Sequence, residues 1–144
     1  HLAQAANPDM QAVGERLQAR LADGRLQLQD HFFWTSPLAM WEMPADLAAD
    51  LQAAHLVISK GDANYRRLLG DRHWAFADSF AAIVAYFPAP LLALRTLKSE
   101  IVAGLTPEQV QTMPRRDPNW LINGRWGLIQ FARPRENGAD ESGR

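Results

Sequence analysis

Residues 55–64 read His-Leu-Val-Ile-Ser-Lys-Gly-Asp-Ala-Asn, and this stretch decides the fold of the chain. It joins a short apolar run, residues 56–58, to a polar run, residues 60–64. An apolar run with turn residues directly behind it predicts a strand buried on both faces. Polar groups that follow such a strand lie where open α/β sheets bind ligands, outside the carboxyl ends of the strands. We therefore expect this segment to supply one wall of a binding crevice.

A second apolar run with a polar exit follows at residues 91–98. Leu91–Leu94 predicts a strand, and Arg95-Thr96-Leu97-Lys98 follows it as a polar exit. If the two strands are parallel neighbours, their carboxyl ends meet at one edge of the sheet, and both polar exits open there. The side chains expected to converge on that crevice are Lys60, Asp62, Asn64, Arg95, Thr96 and Lys98.

Helical patterns precede and separate these strands. Asn7-Pro8 predicts a helix start, the apolar spacing over residues 10–21 predicts an amphipathic helix, and Gly24 predicts its end. A short strand at Leu26 and Leu28, a helix after Pro44 and the strand at residues 56–58 give the order strand, helix, strand, which is typical of parallel α/β architecture. Further helices are predicted after Pro44, from Tyr65 to Leu69 with Gly70 as the stop, after Asp78 as N-cap, and after the capping sequence Thr106-Pro107-Glu108-Gln109.

Shorter segments complete the predicted order of elements. Leu26 and Leu28 alternate with polar residues, which predicts a short strand, and residues 126–132 predict a last strand behind an Asn-Gly turn. Residues 114–118 predict a loop. Residues 134–144 lack large apolar side chains, so we expect a disordered tail after a folded part that spans residues 1–133.

Residues 31–37 carry three consecutive aromatic side chains that a Ser-Pro turn ends. They either plug the end of the sheet or line a pocket, and the sequence leaves both readings open. His31 lies beside Asp30 and is a candidate general base, although a single histidine in such a place is more often structural.

The composition narrows the classes of function. The 144 residues are enough for one domain with a real core, and the net charge of −1 gives no field that would attract nucleic acid or an acidic membrane. No apolar run approaches the roughly 20 residues of a membrane span. The chain has no cysteine, which excludes disulfides, thiolate metal sites and cysteine catalysis. We expect a cytoplasmic protein with neither nucleic acid nor a membrane as partner.

The side chains at the two strand exits suit an anionic ligand. Lysine supplies a point charge and arginine a bidentate fork, so a phosphate ester is the ligand class they fit best. Gly61 lets the backbone approach a ligand closely, and Asp62 and Asn64 suit sugar hydroxyls or a hard divalent cation. The alternative is structural. In that reading Asp62 and Asn64 cap the next helix, and Lys60 and Lys98 pair with surface carboxylates.

Four segments, in this order along the chain, resemble one family. The first holds Lys60-Gly61-Asp62-Ala63-Asn64-Tyr65-Arg66, and Gly70-Asp71-Arg72, Pro88-Ala89-Pro90-Leu91 and Arg95-Thr96-Leu97-Lys98 follow. Together they resemble the damage-control phosphatases, in the subfamily marked by an Arg-Thr-x-Lys motif. The similarity extends from about Phe32 to Phe131. The family is also described as acidic-residue (protein-glutamate) methyltransferase-like.

The resemblance implies a Rossmann-like three-layer αβα domain with a mainly parallel sheet, of which this chain is a part. It implies a metal-dependent phosphatase that hydrolyses phosphate monoesters of small metabolites such as sugar phosphates. The implied cofactor is a divalent metal, either manganese, cobalt or nickel, with magnesium as a further option. Its roles would be to polarise the phosphoryl group and to orient the attacking water.

The resemblance also assigns roles to single residues. Lys98 matches the lysine that contacts substrate phosphate, and Lys98 and Asp62 are the expected catalytic residues. Arg95 and Thr96 belong to the same motif and either shape the loop or add phosphate contacts. The segment that matches the family's substrate-binding loop is Lys60, Gly61, Asp62, Ala63 and Asn64.

The chain departs from the family at the metal site. The family holds its metal with an Asp-Asn pair and a further Asp, whereas this chain has no Asp-Asn dipeptide, and we identify no metal ligand in it. The chain also opens without methionine, on a segment typical of a helix interior. We therefore expect the C-terminal portion of a catalytic domain, whose partner is the missing N-terminal part of the same protein.

Two other functions stay open at this stage. A protein carboxyl (glutamate) methyltransferase that uses S-adenosylmethionine is suggested by the family, although no glycine-rich cofactor loop is present in the sequence. A non-catalytic sugar-phosphate-binding module would bind phosphorylated sugars and release no phosphate.

Overall fold

The structure is a computed structural model that describes residues 1–134. The predicted tail, apart from Pro134, lies outside the described residues. The chain divides into two compact units, residues 1–34 and a second unit that begins at Thr35. No helix among the described residues is long and apolar enough to cross a membrane.

The first unit is built on one long helix, α1 (Pro8–Ala22). The predicted start is confirmed, because the Asn7 side-chain oxygen accepts backbone N–H groups of the first turn at 2.9 and 3.2 Å. A short 3₁₀ turn, Leu2–Gln4, contacts α1 at Gly14, where a Cβ atom would lie 2.2 Å from a backbone nitrogen. Gly24 follows the helix with φ 75°, as its predicted role as a stop requires.

The strand predicted from Leu26 and Leu28 is wrong. Both residues lie outside the three strands found in residues 1–134, and Leu28 is 83% exposed. An alternating pattern forms a strand only if a neighbouring strand pairs with it. Here the chain instead folds back on the end of α1, since the N–H of Leu26 bonds to the carbonyl of Arg20 at 2.9 Å.

The aromatic segment at residues 31–37 does not plug the end of the sheet with all three of its aromatic side chains. Phe33 is buried, but Phe32 is 93% exposed and Trp34 is exposed as well. The Nδ1 atom of His31 accepts the backbone N–H of Phe33 at 3.0 Å, which is a local structural role.

The second unit is an α/β fold around a three-stranded sheet. Its strands are β1 (Val57–Lys60), β2 (Leu91–Thr96) and β3 (Gly127–Ala132), in the order β1-β2-β3. β1 runs parallel to β2, as predicted, and β2 runs antiparallel to β3. The α/β class is thus confirmed. The mainly parallel sheet is not, since one of the two strand pairs within the described residues is antiparallel.

In the described part of this unit, the sheet is accompanied by four helices: α2 (Ala45–Gln52), α3 (Asp62–Leu68), α4 (Phe80–Ile83) and α5 (Pro107–Arg116). α3 packs against β1 and β2, and α4 packs against β3. Burial of apolar side chains between these helices and one face of the sheet drives the packing of this unit. The largest fully buried side chains are Tyr65, Leu68, Leu69, Leu91, Leu97, Val84 and Val102.

The expectation that β1 is buried on both faces is wrong. Its residues alternate in burial, and Ile58 is 58% exposed. The strand register explains this exposure. Ile58 aligns across β2 with Phe131, which is 50% exposed, and both side chains lie on the face of the sheet that α3 and α4 leave open. Ile129, two residues away on the same face, is 78% exposed. The described sheet therefore carries apolar side chains on an exposed face.

Two predicted boundaries move by one or two residues. β2 extends to Thr96, because Arg95 and Thr96 pair with Leu128 and Gly127 of β3, so these two residues belong to the strand rather than to its exit. At α4 the N-cap is Ser79, whose hydroxyl accepts the N–H of Ala82 at 3.3 Å. Asp78 does not cap α4 but accepts the N–H of Ala75 at 2.9 Å.

The capping box at Thr106 is confirmed, but the loop predicted over residues 114–118 is wrong at its start. α5 continues through Pro114, which lies in its last turns. Proline lacks one backbone donor, yet the helix pattern goes on because the N–H of Asp117 bonds to the carbonyl of Met113 at 2.9 Å.

Gly70→Ala is expected to lower the free energy of unfolding by about 3 kcal/mol, since it combines strain and overpacking. Gly70 has φ 67°, and a Cβ atom there would lie 1.5 Å from the Trp41 ring. Gly124→Ala is the matched control. Its φ is 72°, but the nearest side-chain atom would lie 3.8 Å away, so we expect about 1 kcal/mol. Urea unfolding compares the two, and equal losses would contradict the packing role of Gly70.

Candidate functional site

The carboxyl ends of β1 and β2 open on one crevice of about 400 Å³. Because the strands are parallel neighbours, Lys60 at the end of β1 lies opposite Leu94 of β2. The N–H of Gly61 then bonds to the Leu94 carbonyl at 2.8 Å, which fixes the exit of β1 on the edge of β2. The crevice is lined by Lys60, Gly61, Leu94, Arg95, Thr96, Gly127, Leu128 and Ile129.

Gly61 makes the turn from β1 into α3 within a single residue. It has φ 107° and serves as the N-cap of α3 without a side chain of its own. This φ favours glycine, so the predicted need for a glycine here has a backbone reason. The turn brings Asp62 to the first position of α3, next to the crevice.

Arg95 reaches Asp62 from β2 through a buried ion pair. The Arg95 side chain is fully buried, and its Nε and Nη2 atoms each lie 2.9 Å from Asp62 Oδ1. Nη2 also donates to the carbonyl and hydroxyl oxygens of Ser99, both at 2.8 Å, and Nη1 donates to the carbonyl of Ile101. The guanidinium is therefore satisfied by protein groups, and it joins α3 to the segment after β2.

The ring of Tyr65 lies under the same guanidinium. Its centroid is 4.5 Å from the Arg95 guanidinium carbon, within the range of a cation–π contact. Burial lowers the pKa of Arg95, and Asp62 acts in the opposite direction. Burial likewise raises the pKa of the Tyr65 hydroxyl. Of the two roles expected for Arg95, this geometry favours shaping the loop.

Asp62 links this cluster to Lys98. Its Oδ1 atom, besides facing Arg95, accepts the backbone N–H of Lys98 at 3.3 Å. The Asp62 side chain is 20% exposed, whereas the Lys98 side chain is exposed. A Cβ atom at Gly124 would lie 3.8 Å from Lys98 Cε and 4.0 Å from Thr96 Cγ2, so the Lys98 stem runs beside a residue that lines the crevice.

The remaining predicted site residues lie apart from this arrangement. The amide nitrogen of Asn64 donates to the carbonyl of Lys60 at 3.0 Å, so that half of its amide serves the helix start. Ala63 is exposed and lines a different, larger cavity between α3 and residues 36–42. The segment 60–64 thus faces two cavities rather than one.

Two polar residues behind the site were not predicted. The Tyr65 hydroxyl donates to Gln130 Oε1 at 2.7 Å, and Gln130 Nε2 donates to the carbonyl of Ala103 at 2.7 Å. The signal for Gln130 was present in the sequence, because it shares a strand face with Leu128 and the buried Ala132. A polar residue on an inward strand face needs an internal partner. For Tyr65 the signal was its place in the segment from Lys60 to Arg66 that resembles the family, since tyrosine is otherwise an ordinary core residue.

The residues that the structure describes do not fit the divalent metal that the family resemblance implies. Among residues 1–134, no group of three or more histidine, aspartate or glutamate side chains lies close enough together to hold a metal ion. Asp62, the acidic residue next to the crevice, is engaged by Arg95 and by the Lys98 backbone. The crevice has Lys60 in its lining, and this cation suits an anionic ligand.

Comparison with known proteins gives one consistent family. Residues 1–113 match the family model described as the damage-control phosphatase ARMT1-like domain. The chain is 43% identical over 138 residues to the damage-control phosphatase ARMT1 of Mus musculus. This alignment covers 93% of this chain and 31% of the mouse protein. It is 47% identical over 115 residues to the Bos taurus protein of the same name, in an alignment that covers 77% of this chain and 26% of the bovine protein.

The human relative of that name is 40% identical over 129 residues, with 87% of this chain and 29% of that protein covered. The chain therefore spans about a third or less of the length of the curated relatives that it matches. Within the part that matches the family model lie all the predicted site residues, from Lys60 to Lys98.

Proposed function

This chain belongs to the damage-control phosphatase ARMT1-like domain family, and from that premise we propose that the protein is a phosphatase of small phosphorylated metabolites such as sugar phosphates. The family's Rossmann-like three-layer αβα domain is the architecture we propose for the complete catalytic domain. The α/β fold of the second unit is compatible with it. The cytoplasmic location expected from the composition stays a prediction.

One observation carries this proposal. The parallel pairing of β1 and β2 brings Lys60 and Gly61 to the same crevice as Thr96, and Lys98 follows two residues later. Two lysines and a flexible backbone point at the shared end of two parallel strands suit a phosphate group on a small molecule. The exposed Lys98 ammonium is free of the constraint that holds Arg95 inside the fold.

The proposed chemistry is hydrolysis of a phosphate monoester. The water oxygen bonds to phosphorus, and the bond from phosphorus to the ester oxygen breaks. A proton from the water passes to that ester oxygen, so the products are inorganic phosphate and the free alcohol. Negative charge shifts toward the oxygens as that bond breaks, and the Lys98 ammonium stabilises it. Asp62 sets the position of the Lys98 backbone through its 3.3 Å hydrogen bond, and Lys60 adds a second positive charge at the crevice.

We propose that the divalent metal of the family is held by residues beyond the part of the chain that the structure describes, and no step above is routed through it. We propose further that the partner of this chain is the remainder of the same polypeptide. The exposed apolar face of the sheet, with Ile58, Ile129 and Phe131, supports this, because contiguous exposed apolar surface marks an interaction site.

The direct test is phosphate release from fructose 1-phosphate and from an aryl phosphate. We expect the full natural chain to release phosphate with added manganese, cobalt or nickel and to stop when a chelator is present. The 144-residue chain alone is expected to release none, because its described part has no metal-ligand cluster. Metal-supported release by the 144-residue chain would contradict the proposed location of the ligands.

The same samples separate the other functions. A full natural chain that binds fructose 1-phosphate but releases no phosphate with any metal would be a sugar-phosphate-binding module. Heat of binding with S-adenosylmethionine in a calorimetric titration would favour the methyltransferase, whereas a phosphatase is expected to give none.

A further inference from the structure

A second cavity, of about 630 Å³, lies between α3 and residues 36–42. This volume falls within the range of small-molecule sites, roughly 300–1,000 Å³. It is larger than the crevice at the strand ends, and no predicted function uses it. We call it the arginine cavity, because its lining includes Arg66, Arg67 and Arg72, together with Trp41.

Hydrogen bonds within the protein hold two of the three guanidinium groups in the arginine cavity. Arg66 forms a two-bond ion pair with Asp71, with Nε to Oδ1 at 2.6 Å and Nη2 to Oδ2 at 2.8 Å. Arg67 donates from Nε to the carbonyl of Leu38 at 2.7 Å. Holding a long side chain in advance lowers the entropy that a ligand must overcome when it binds.

Arg72 differs from the other two arginines. Its guanidinium carbon lies 5.2 Å from the centroid of the Trp41 ring, but Arg72 donates no hydrogen bond to any residue from 1 to 134. An arginine has five N–H donors in a planar fork that matches carboxylate and phosphate oxygens. The stacking on Trp41 orients this fork at the wall of the arginine cavity and leaves its donors available to a ligand.

The backbone beside this wall is strained. Asp71 has φ 55° and is the one non-glycine residue with a positive φ in the described part of the chain. It follows Gly70, which has φ 67°. These two residues turn the chain so that Arg72 returns to Trp41, and the ion pair with Arg66 holds the turn. Strained non-glycine backbone persists where surrounding structure holds it, and such positions cluster at ligand-binding sites.

The charges in the lining favour an anion. Three arginines face two carboxylates, and both carboxylates are engaged: Asp71 by Arg66, and Glu42 by the backbone N–H of Ala39 at 2.8 Å. We propose that the arginine cavity binds a small anionic molecule through a phosphate or carboxylate group, with Arg72 as the principal contact and Trp41 against its apolar part. This site is separate from the crevice, and the proposal does not depend on phosphatase activity.

The test is a titration of the 144-residue chain with inorganic phosphate, followed by ¹H–¹⁵N NMR. We expect the Trp41 indole N–H and the backbone N–H groups of Gly70 and Asp71 to shift with saturation. These shifts should persist in Lys98→Ala, because Lys98 does not line the arginine cavity. In Arg72→Gln the dissociation constant read from them should rise at least about tenfold, since a charge-assisted contact is lost.

Arg115→Gln is the matched charge control, because Arg115 is exposed on α5 and lies outside the lining. It should leave the dissociation constant unchanged. Arg72→Lys keeps the charge but loses the fork, so we expect intermediate binding. The proposal is overturned if phosphate shifts none of the cavity signals, or if Arg72→Gln binds as tightly as the parent chain.

The anionic group has two possible sources, the far end of a substrate bound in the crevice or a separate molecule. Steady-state kinetics of the full natural chain distinguish them. If the group belongs to the substrate, Arg72→Gln raises KM for a sugar phosphate and leaves kcat unchanged. If it belongs to a separate molecule, Arg72→Gln leaves both constants unchanged, while phosphate binding to the arginine cavity is still weakened.

Discussion

Lys98→Ala in the full natural chain is expected to lower the rate of phosphate release at least about a hundredfold. The loss removes a positive charge from the place where charge develops as the phosphate ester breaks, and single groups of this kind contribute that much to catalysis. Stability should change by less than about 0.5 kcal/mol. The Lys98 side chain is exposed, and the hydrogen bond to Asp62 uses the backbone N–H, which alanine keeps.

The measurement is kcat/KM for fructose 1-phosphate, with thermal unfolding of the same samples. Glu100→Ala is the control, because Glu100 is exposed two residues away, and it should leave both values unchanged. Lys98→Arg should recover part of the rate, since it restores the charge with a different shape. Turnover by Lys98→Ala close to that of the parent protein would remove Lys98 from the proposed mechanism.

The convergence of residues 60 and 96 on one crevice was predictable from the sequence. Two short apolar runs, each followed by polar residues, predicted a shared crevice on the condition that the strands are parallel neighbours, and β1 and β2 are paired that way. Local rules also predicted the caps at Asn7 and Thr106, because such hydrogen bonds depend only on residues a few positions apart.

The position of Arg95 was not predictable in the same way. Its burial depends on Ser99 and Ile101, whose carbonyls turn back toward it, and on Tyr65 of α3. No periodicity encodes these contacts. A motif with two basic residues predicts two cations at a surface, yet the fold buries Arg95 and exposes Lys98.

The exposed face of β1 was missed for a related reason. An apolar run of three residues predicts burial, but which face is covered depends on where the helices lie. α3 and α4 cover one face of the sheet, and Ile58 lies on the other. The arginine cavity likewise depends on the approach of residues 36–42 to α3, which no local pattern predicts.

Arg95→Met is expected to lower the free energy of unfolding by about 3–5 kcal/mol. The replacement leaves Asp62, which is 20% exposed, without its cationic partner, and it leaves the carbonyls of Ser99 and Ile101 without their donors. Urea unfolding followed by circular dichroism measures this loss. If the methionine variant does not fold, Arg95→Lys keeps the charge and loses part of the hydrogen bonding, so its smaller loss remains measurable.

Arg66→Met provides the comparison, because it breaks another short arginine–aspartate ion pair, which lies at the surface. Arg66 Nε lies 2.6 Å from Asp71 Oδ1, but these two side chains are 42% and 57% exposed. The Arg95 side chain is fully buried. Water screens the exposed pair, so we expect a loss of about 1 kcal/mol or less. Burial, rather than the distance between the charged atoms, should therefore decide the difference between the two variants.

A double-mutant cycle with Asp62→Asn isolates the pair from the carbonyls that Arg95 also holds. Once Arg95 is absent, the Asp62 carboxylate no longer has the buried cation to stabilise it, so Asp62→Asn should cost less in that background than in the parent chain. We expect a coupling of about 1–3 kcal/mol. A coupling near zero, together with a large loss for Arg95→Met, would mean that Arg95 stabilises the fold through Ser99 and Ile101 alone. Asp62 would then hold the Lys98 backbone without help from Arg95, and the Arg-Thr-x-Lys segment would owe its shape to the loop after β2.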